Sequence, residues 1–218
     1  MARYAIGDVH GCARTLAALL DRVAPTDADE LVFVGDYVDR GPDSRGVLDL
    51  LLELEARVPC VFLRGNHEAL VLDALDAPRD EDVQDLWRIN GGAATLASYP
   101  GGRLSAAHVD FLRRTRLVYD TPDAIYVHAG LSPELTVEEN LRWETQQTFL
   151  WTRRHLDASR LAWEKTVVCG HTPSPEPVVR ARLLMIDTGC VFPARPGLGR
   201  LCAVRMPERA FLFEPYQG

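Results

Sequence analysis

Residues 60–70 read CVFLRGNHEAL. A strand-length run ends in Gly65, and Asn66, His67 and Glu68 follow before a helical pattern begins at Ala69. One polar residue there would serve as a helix N-cap. Three in a row, two of them able to bind metal or move protons, predict a site at the carboxyl end of a sheet. The arrangement recurs along the chain. Runs at 2–6 (ARYAI), 31–35 (LVFVG), 124–128 (AIYVH), 166–170 (TVVCG), 183–187 (LLMID), 201–205 (LCAVR) and 210–214 (AFLFE) are also strand-length. They are rich in Val, Ile, Leu and Phe, as strands buried on both faces are.

Helical patterns separate the first runs. Residues 12–23 place Leu16, Leu19, Leu20 and Val23 on one face, and residues 44–56 do the same with Val47, Leu48, Leu51 and Leu54. The first half therefore reads β-α-β-α-β. The last runs follow one another through short turns and read as antiparallel neighbours, with the prolines of 171–200 marking loops. An α/β fold follows, a sheet-rich core flanked by helices. Residues 76–120 show no clear strand and two Gly-Gly pairs. They read as a helical insert over one end of the sheet, without linker-like flanks, inside a single domain spanning 1–218.

The composition narrows the partners. The 218 residues are 47% hydrophobic and 25% charged, with a formal charge of −7, which argues against a nucleic-acid or anionic-membrane binder. No apolar run approaches membrane-spanning length. Five cysteines without zinc-like spacing, three of them (Cys60, Cys169, Cys202) in apolar runs and read as buried thiols, predict a reduced, cytoplasmic protein. Lys165 is the only lysine, so a phosphate clamp must be built from arginine, whose planar fork suits bidentate contacts.

Six runs end in a polar block beside a glycine: Gly7-Asp8-Val9-His10-Gly11, Gly35-Asp36-Tyr37-Val38-Asp39-Arg40-Gly41, Gly65-Asn66-His67-Glu68, His128-Ala129-Gly130, Gly170-His171-Thr172 and Asp187-Thr188-Gly189. Singly, Asp8 or Asn66 would pass for a helix cap and His128 for a satisfied core histidine. Jointly, the blocks hold four of the six histidines; His108 and His155 read as helix-surface residues. Such a set suits two divalent ions about 3.5–4 Å apart, clamping both sides of a phosphoryl displacement. Asp36 can bridge, Asp8, His10 and Asn66 add ligands, and His128 and His171 offer nitrogens. Mn²⁺ is the first choice, with Fe²⁺ or Zn²⁺ as alternatives, because these ions accept mixed oxygen and nitrogen donors.

GDVHG, GDYVDRG, GNHE, HAG and GHT, in this order, resemble the signature of the phosphoprotein phosphatase family of metallophosphatases, in its compact bacterial or phage form. The resemblance spans Gly7 to Gly189. It implies a β-sandwich of two mixed sheets flanked by helices. It implies one metal on Asp8, His10 and Asp36, and a second on Asp36, Asn66, His128 and His171. It further implies that His67 protonates the leaving group, oriented by Asp39, that Arg40 binds phosphate, and that Glu68 supports the turn. Trp151-Thr152-Arg153 is similar to a Trp-x-Arg segment of the bacterial branch that supplies a second phosphate clamp, which assigns the role to Arg153, with Arg154 as the competitor; Asn66 and His128 also face the phosphate.

The activity so implied is hydrolysis of phosphoserine or phosphothreonine, and of phosphotyrosine in a wider reading, in a protein or peptide substrate, by direct attack of a metal-bridging hydroxide. The alternative is a dinucleoside polyphosphate hydrolase, such as one for diadenosine tetraphosphate, or another nucleotide hydrolase, on the same site. That branch tends to carry Gln at the first-motif histidine and Asp in GNHE, where this chain has His10 and Glu68. RGPDS at 40–44 matches it. No basic cluster beyond Arg40 and Arg153 is evident for a polyphosphate chain, although Arg103, Arg113, Arg114 and Arg116 lie in or near the insert.

Overall fold

The computed structural model describes residues 2–218. β1 (Arg3–Ile6), α1 (Ala13–Val23), β2 (Glu30–Phe33), α2 (Ser44–Glu55) and β3 (Cys60–Phe62) form the expected β-α-β-α-β half. β1, β2 and β3 pair in parallel. Helix α1 puts Leu16, Leu19, Leu20 and Val23 inward, and α2 buries Val47, Leu48, Leu51 and Leu54. Asp43 caps α2 by accepting the Gly46 N–H at 2.8 Å.

Then come α3 (Asn66–Asp76), α4 (Glu81–Trp87), α5 (Ala93–Ala97), α6 (Ala106–Arg113), β4 (Val118–Asp120), β5 (Ala124–Val127), α7 (Val137–Trp143), α8 (Gln146–Trp151) and α9 (Arg154–Asp157). The chain ends with β6 (Thr166–Cys169), β7 (Val178–Arg180), β8 (Leu183–Met185), β9 (Arg200–Met206) and β10 (Ala210–Pro215).

These strands make two mixed five-stranded sheets, ordered β10-β9-β1-β2-β3 and β4-β5-β6-β8-β7. Period-two alternation explains why the runs are apolar throughout. Ala5, Val32, Val61, Cys202 and Val204 of the first sheet pack with Tyr126, Val168 and Leu184 of the second. Their neighbours Ile6, Leu31, Phe33, Phe62 and Ala203 pack with α1 and α2, while Ile125, Val127, Val167, Leu183 and Met185 join Phe149 and Trp163 on the far side. The inner strands thus meet the other sheet on one face and a helix layer on the other, while the edge strand β7 and the ends of β4, β9 and β10 reach solvent.

The expectation of antiparallel neighbours at the C-terminal end holds for β9 and β10. It fails for β6 and β8, which pair in parallel in the other sheet, with β7 antiparallel on the edge of β8. The proline-rich stretch therefore contains two short strands. β4 likewise lies inside the range read as strandless, where the chain leaves the insert to pair with β5. The first Gly-Gly pair makes a turn between α4 and α5, where Gly91 takes a left-handed φ of 108° and kinks the chain within Arg88–Gly92. Cys169 and Cys202 are buried as expected, whereas Cys60 on the outer strand β3 is only half-buried.

Candidate metal centre

The loops after β1 and β2 are laced together. The N–H groups of Val9 and His10 donate to the Asp36 carbonyl at 3.0 and 2.8 Å, and Gly11 N–H to the Tyr37 carbonyl at 2.8 Å. Within this lacing His10, Asp36, Asp39 and Arg40 take positive φ angles of 46°, 54°, 69° and 69°, as does His171 at 66°. Each such residue costs about 1 kcal/mol or more, a strain that concentrates where side-chain direction matters more than backbone comfort. Gly65 is where α3 comes closest: a Cβ there would stand 2.4 Å from the Asp36 nitrogen and 2.1 Å from Oδ1. Glu68, one turn on, accepts the N–H groups of Asp36 (2.7 Å), Tyr37 (2.8 Å) and Gly65 (2.8 Å). Its carboxylate pins the two strand ends together, as the sequence predicts.

Asp8, His10, Asp36, Asn66, His67, His128 and His171 are all buried. Asp8 Oδ2 accepts the His171 N–H at 2.9 Å. His10 Nε2 lies 3.4 Å from Asp36 Oδ2, and His128 Nε2 lies 3.4 Å from Asp36 Oδ1. Asn66 Oδ1 sits 2.9 Å from both His128 Nε2 and His171 Nδ1. Two groups of donor atoms could each hold one cation: His10, Asp36 and His67, and Asp36, His128 and His171. Asp36 belongs to both.

The chemistry of the donors tests whether metal fits. His128 Nδ1 is 2.9 Å from the Val34 carbonyl and His10 Nδ1 is 3.0 Å from that of Val38, so both nitrogens carry the proton and donate. Burial, first of all, depresses His128 and takes His10 down to about 3, against the pull of Asp36. Both rings are therefore neutral; the His128 Nε2 lone pair points at oxygens of Asp36 and Asn66, while that of His10 faces Asp36 and also meets the Arg40 guanidinium. Lone pair against lone pair in a buried site is unfavourable unless a cation lies between. Asp8 Oδ1 and His171 Nε2 have no hydrogen-bond partner among the described residues. Burial and the charges of Asp187 and Asp36 hold the Asp8 carboxyl well above its ordinary range, and burial with the Asp36 charge helps bring Asp187 to about 7. The buried carboxyls of Asp8 and Asp36 with the imidazoles of His10, His128 and His171 make a donor set that fits divalent cations.

His67 is held differently. Its Nδ1 lies 2.8 Å from Asp39 Oδ2, and its Nε2 is buried without a partner. Burial disfavours its charged form, yet the Asp36 charge and the Asp39 hydrogen bond outweigh that and raise its pKa. Asp39 in turn accepts Trp87 Nε1–H at 3.0 and 3.2 Å and the Thr95 hydroxyl at 2.6 Å. Neither residue is singled out by the sequence, nor is Asp187 as a neighbour of Asp8, although its strand ends in the same kind of polar block.

Arg40 is exposed, and one guanidinium nitrogen lies 2.8 Å from His10 Nε2. Arg153 and Arg154 part company. The Arg153 charge helps lower both His128 and His171, whereas Arg154 pairs with Glu134 at 2.9 Å. In the insert, Arg113 pairs with Asp76 and Arg114 with Glu55. His108 and His155 are not surface residues. His108 is buried between the Tyr99 hydroxyl (2.7 Å) and Asp49 (3.0 Å). His155 packs on Gly130, whose φ of 153° and absent Cβ leave room for the ring: a Cβ would stand 2.5 Å from it. The helical period of α6 does not say that His108 falls on its inner face, and α9 is too short to show a period.

Residues 1–195 match the calcineurin-like phosphoesterase family. The chain is 28% identical over 228 residues to the asymmetrical bis(5′-nucleosyl)-tetraphosphatase PrpE of Oceanobacillus iheyensis, covering 95% of this chain and 89% of that one. It is 30% identical to PrpE of Geobacillus thermodenitrificans, covering 96% and 92%. It is also 32% identical to serine/threonine-protein phosphatase 1 of Salmonella typhimurium, covering 91% of each chain. A solved structure provisionally described as a diadenosine tetraphosphatase superposes with a TM-score of 0.71 at 26% identity, over 100% of this chain and 94% of that one. With strand ends converging on one buried set of metal donors, and that match over most of its length, the chain belongs to the calcineurin-like metallophosphoesterases.

Proposed function

We propose that the protein hydrolyses dinucleoside polyphosphates of the bis(5′-nucleosyl) tetraphosphate class at a dinuclear metal site. The lone-pair geometry around Asp36 carries the metal-dependent reaction class. The substrate reading rests on the relatives matched end to end at 28% and 30% identity, which favour the alternative of the sequence reading over its first choice. The second reading, phosphoserine or phosphothreonine hydrolysis, rests on the Salmonella relative and on His10 and Glu68.

In this proposal Asp8, His10 and Asp36 hold one cation, and Asp36, Asn66, His128 and His171 the other. Divalent cations held there supply Lewis acidity and lower the pKa of water, and Mn²⁺ heads the candidates. Arg40 and Arg153 bind the oxygens of the phosphoryl group under attack, Arg153 from the side of His128 and His171. Asn66 and His128 border the same phosphate. His67 stands with Nδ1 fixed by Asp39 and Nε2 turned to the cluster, so Nε2 is the atom that delivers a proton to the leaving oxygen.

Purified protein supplied with Mn²⁺ should be offered diadenosine tetraphosphate, a phosphoserine peptide, a phosphotyrosine peptide and p-nitrophenyl phosphate. We expect kcat/KM to be highest for diadenosine tetraphosphate, with EDTA abolishing turnover and added Mn²⁺ restoring it. Nucleotide products read the bond cleaved: ATP plus AMP for an asymmetric split, two ADP for a symmetric one. A phosphopeptide kcat/KM above that for diadenosine tetraphosphate would return the assignment to the second reading.

A further inference from the structure

Asp187 ends the strand run beside Asp8 and accepts the Gly189 N–H at 2.8 Å. From that root the chain makes a closed loop. Gly199 N–H returns to the Gly189 carbonyl at 3.0 Å, Phe192 N–H donates to the same carbonyl at 2.8 Å, and Arg195 N–H donates to the Phe192 carbonyl at 3.0 Å. The loop is therefore a hydrogen-bonded platform rooted at the buried Asp187. It carries a half-buried aromatic ring, Phe192, and an exposed cation, Arg195.

Two guanidinium groups converge on that ring. The Arg195 Cζ lies 4.3 Å from the Phe192 centroid, and the Arg40 Cζ lies 5.7 Å from it. Arg40 also touches His10, so Phe192 bridges from the candidate metal centre to Arg195. Neither arginine has a carboxylate partner within 4.0 Å among the described residues. Arg113, Arg114 and Arg154 all have one. A lone exposed cation–π pair is ordinarily a small surface contact. Here it sets a second cation without a carboxylate partner against the same ring as the first, in a chain of net charge −7. The sequence shows no basic cluster for a polyphosphate because Arg40 and Arg195 lie far apart along the chain.

We propose that Arg195, held by Phe192, binds a phosphate distal to the one attacked, so that Arg40 and Arg195 form a track for a linear polyphosphate chain. The assignment rests on the dinucleoside polyphosphate reading for its natural substrate. The chemistry it selects is a chain of linked phosphates rather than a single ester. Guanidinium–phosphate contacts are charge-assisted and bidentate, whereas a monophosphate reaches only Arg40 and Arg153. Arg195 is a specificity residue and touches no reacting atom.

The test compares wild type with Arg195→Ala, Arg195→Lys and Phe192→Leu, each checked for metal content and for the unfolding transition. Arg195→Ala should lower kcat/KM for diadenosine tetraphosphate about tenfold, the worth of one charge-assisted contact, mainly through KM. The loss for p-nitrophenyl phosphate should be at least about fivefold smaller. Arg195→Lys should recover part of the loss, and Phe192→Leu should lose roughly threefold by releasing the guanidinium. Inorganic tripolyphosphate, as a competitive inhibitor of p-nitrophenyl phosphate turnover, should bind Arg195→Ala about tenfold more weakly. Equal losses on both substrates, or an unchanged inhibition constant, would overturn the track. A wild type that ignores diadenosine tetraphosphate would sink the substrate reading alone, since the tripolyphosphate arm still decides the role of Arg195.

Discussion

Thr95→Val would probe the support of His67, the proposed proton donor, without touching a proposed metal ligand. Thr95 and Asp39 are both fully buried. The Thr95 hydroxyl donates to Asp39 Oδ1 at 2.6 Å, and Thr95 Oγ1 accepts the Asp39 N–H at 2.9 Å. Valine fills nearly the same volume but offers neither contact. Ser44 Oγ, 3.0 Å from the Asp39 nitrogen, still satisfies that N–H, so the net loss is the hydroxyl–carboxylate bond and the Ser44 hydroxyl contact to Thr95 at 3.0 Å. Hydrogen bonds to charged groups contribute about 1.5–3 kcal/mol, and an under-solvated buried carboxylate adds to the cost. We expect a destabilisation of about 2–4 kcal/mol, which for a chain of this size lowers Tm by roughly 5–15 °C.

The catalytic readout separates positioning from mere stability. Asp39 fixes the His67 ring through Nδ1, so a looser Asp39 should reduce kcat by about tenfold for alkyl phosphates. The loss should be smaller for p-nitrophenyl phosphate, whose leaving group needs little protonation. A purely structural role would scale both substrates alike through the folded fraction. The assays are thermal unfolding followed by circular dichroism, metal content by emission spectroscopy, and kcat at a temperature where the variant is folded. A Thr95→Val protein with Tm within about 2 °C of wild type and an unaltered alkyl-to-aryl ratio would refute the assignment of Thr95 as the support of Asp39.

His67→Gln should keep its metals and lower kcat for phosphoserine peptides by about 10²–10⁴-fold, the usual worth of general acid catalysis. For diadenosine tetraphosphate the loss should be much smaller, because the departing nucleotide phosphate is a good leaving group; equal losses would remove the acid role. His155 supplies a pH test: burial, then the Arg180 charge, depress it to about 4, against about 6.5 unfolded. The unfolded chain then binds the extra proton between these values, so the contribution is present above pH 6.5 and is lost as pH falls through 4. Urea unfolding from pH 7 to 4 should show wild type losing on the order of 3 kcal/mol more than His155→Leu, and parallel pH profiles would contradict the buried neutral ring.

The elements that were legible share one property: their signal is local. An apolar run of four or five residues followed by glycine and a polar block reports a buried strand with a site at its end, and Asp8, Asp36, Asn66, His67, His128 and His171 all stand in such blocks. The same run does not report which sheet a strand joins. Leu183–Met185 is as apolar as Leu201–Cys202, yet β8 and β9 lie in different sheets, because burial on both faces leaves the same composition in either. The histidines fail for a related reason. His108 is satisfied by Asp49, 59 residues away, so nothing near it in sequence separates an inner from an outer position.

The insert shows what this locality costs a functional reading. Residues 76–120 carry no metal-binding block and read as a cover over the sheet. Their contribution is one indole N–H and one hydroxyl, from Trp87 and Thr95, which reach Asp39 across 48 and 56 residues. Neither residue type is diagnostic. Each acquires a role because Asp39 is a wholly buried carboxylate with a single histidine partner, and its remaining lone pairs must be met by donors. The Gly91 carbonyl adds a bond to the Arg40 N–H at 3.2 Å, so the same segment also holds the backbone of the phosphate-binding candidate. The insert is thus better understood as the outer wall of the Asp39–Arg40 turn, and changes in it should act on proton transfer before they act on metal binding.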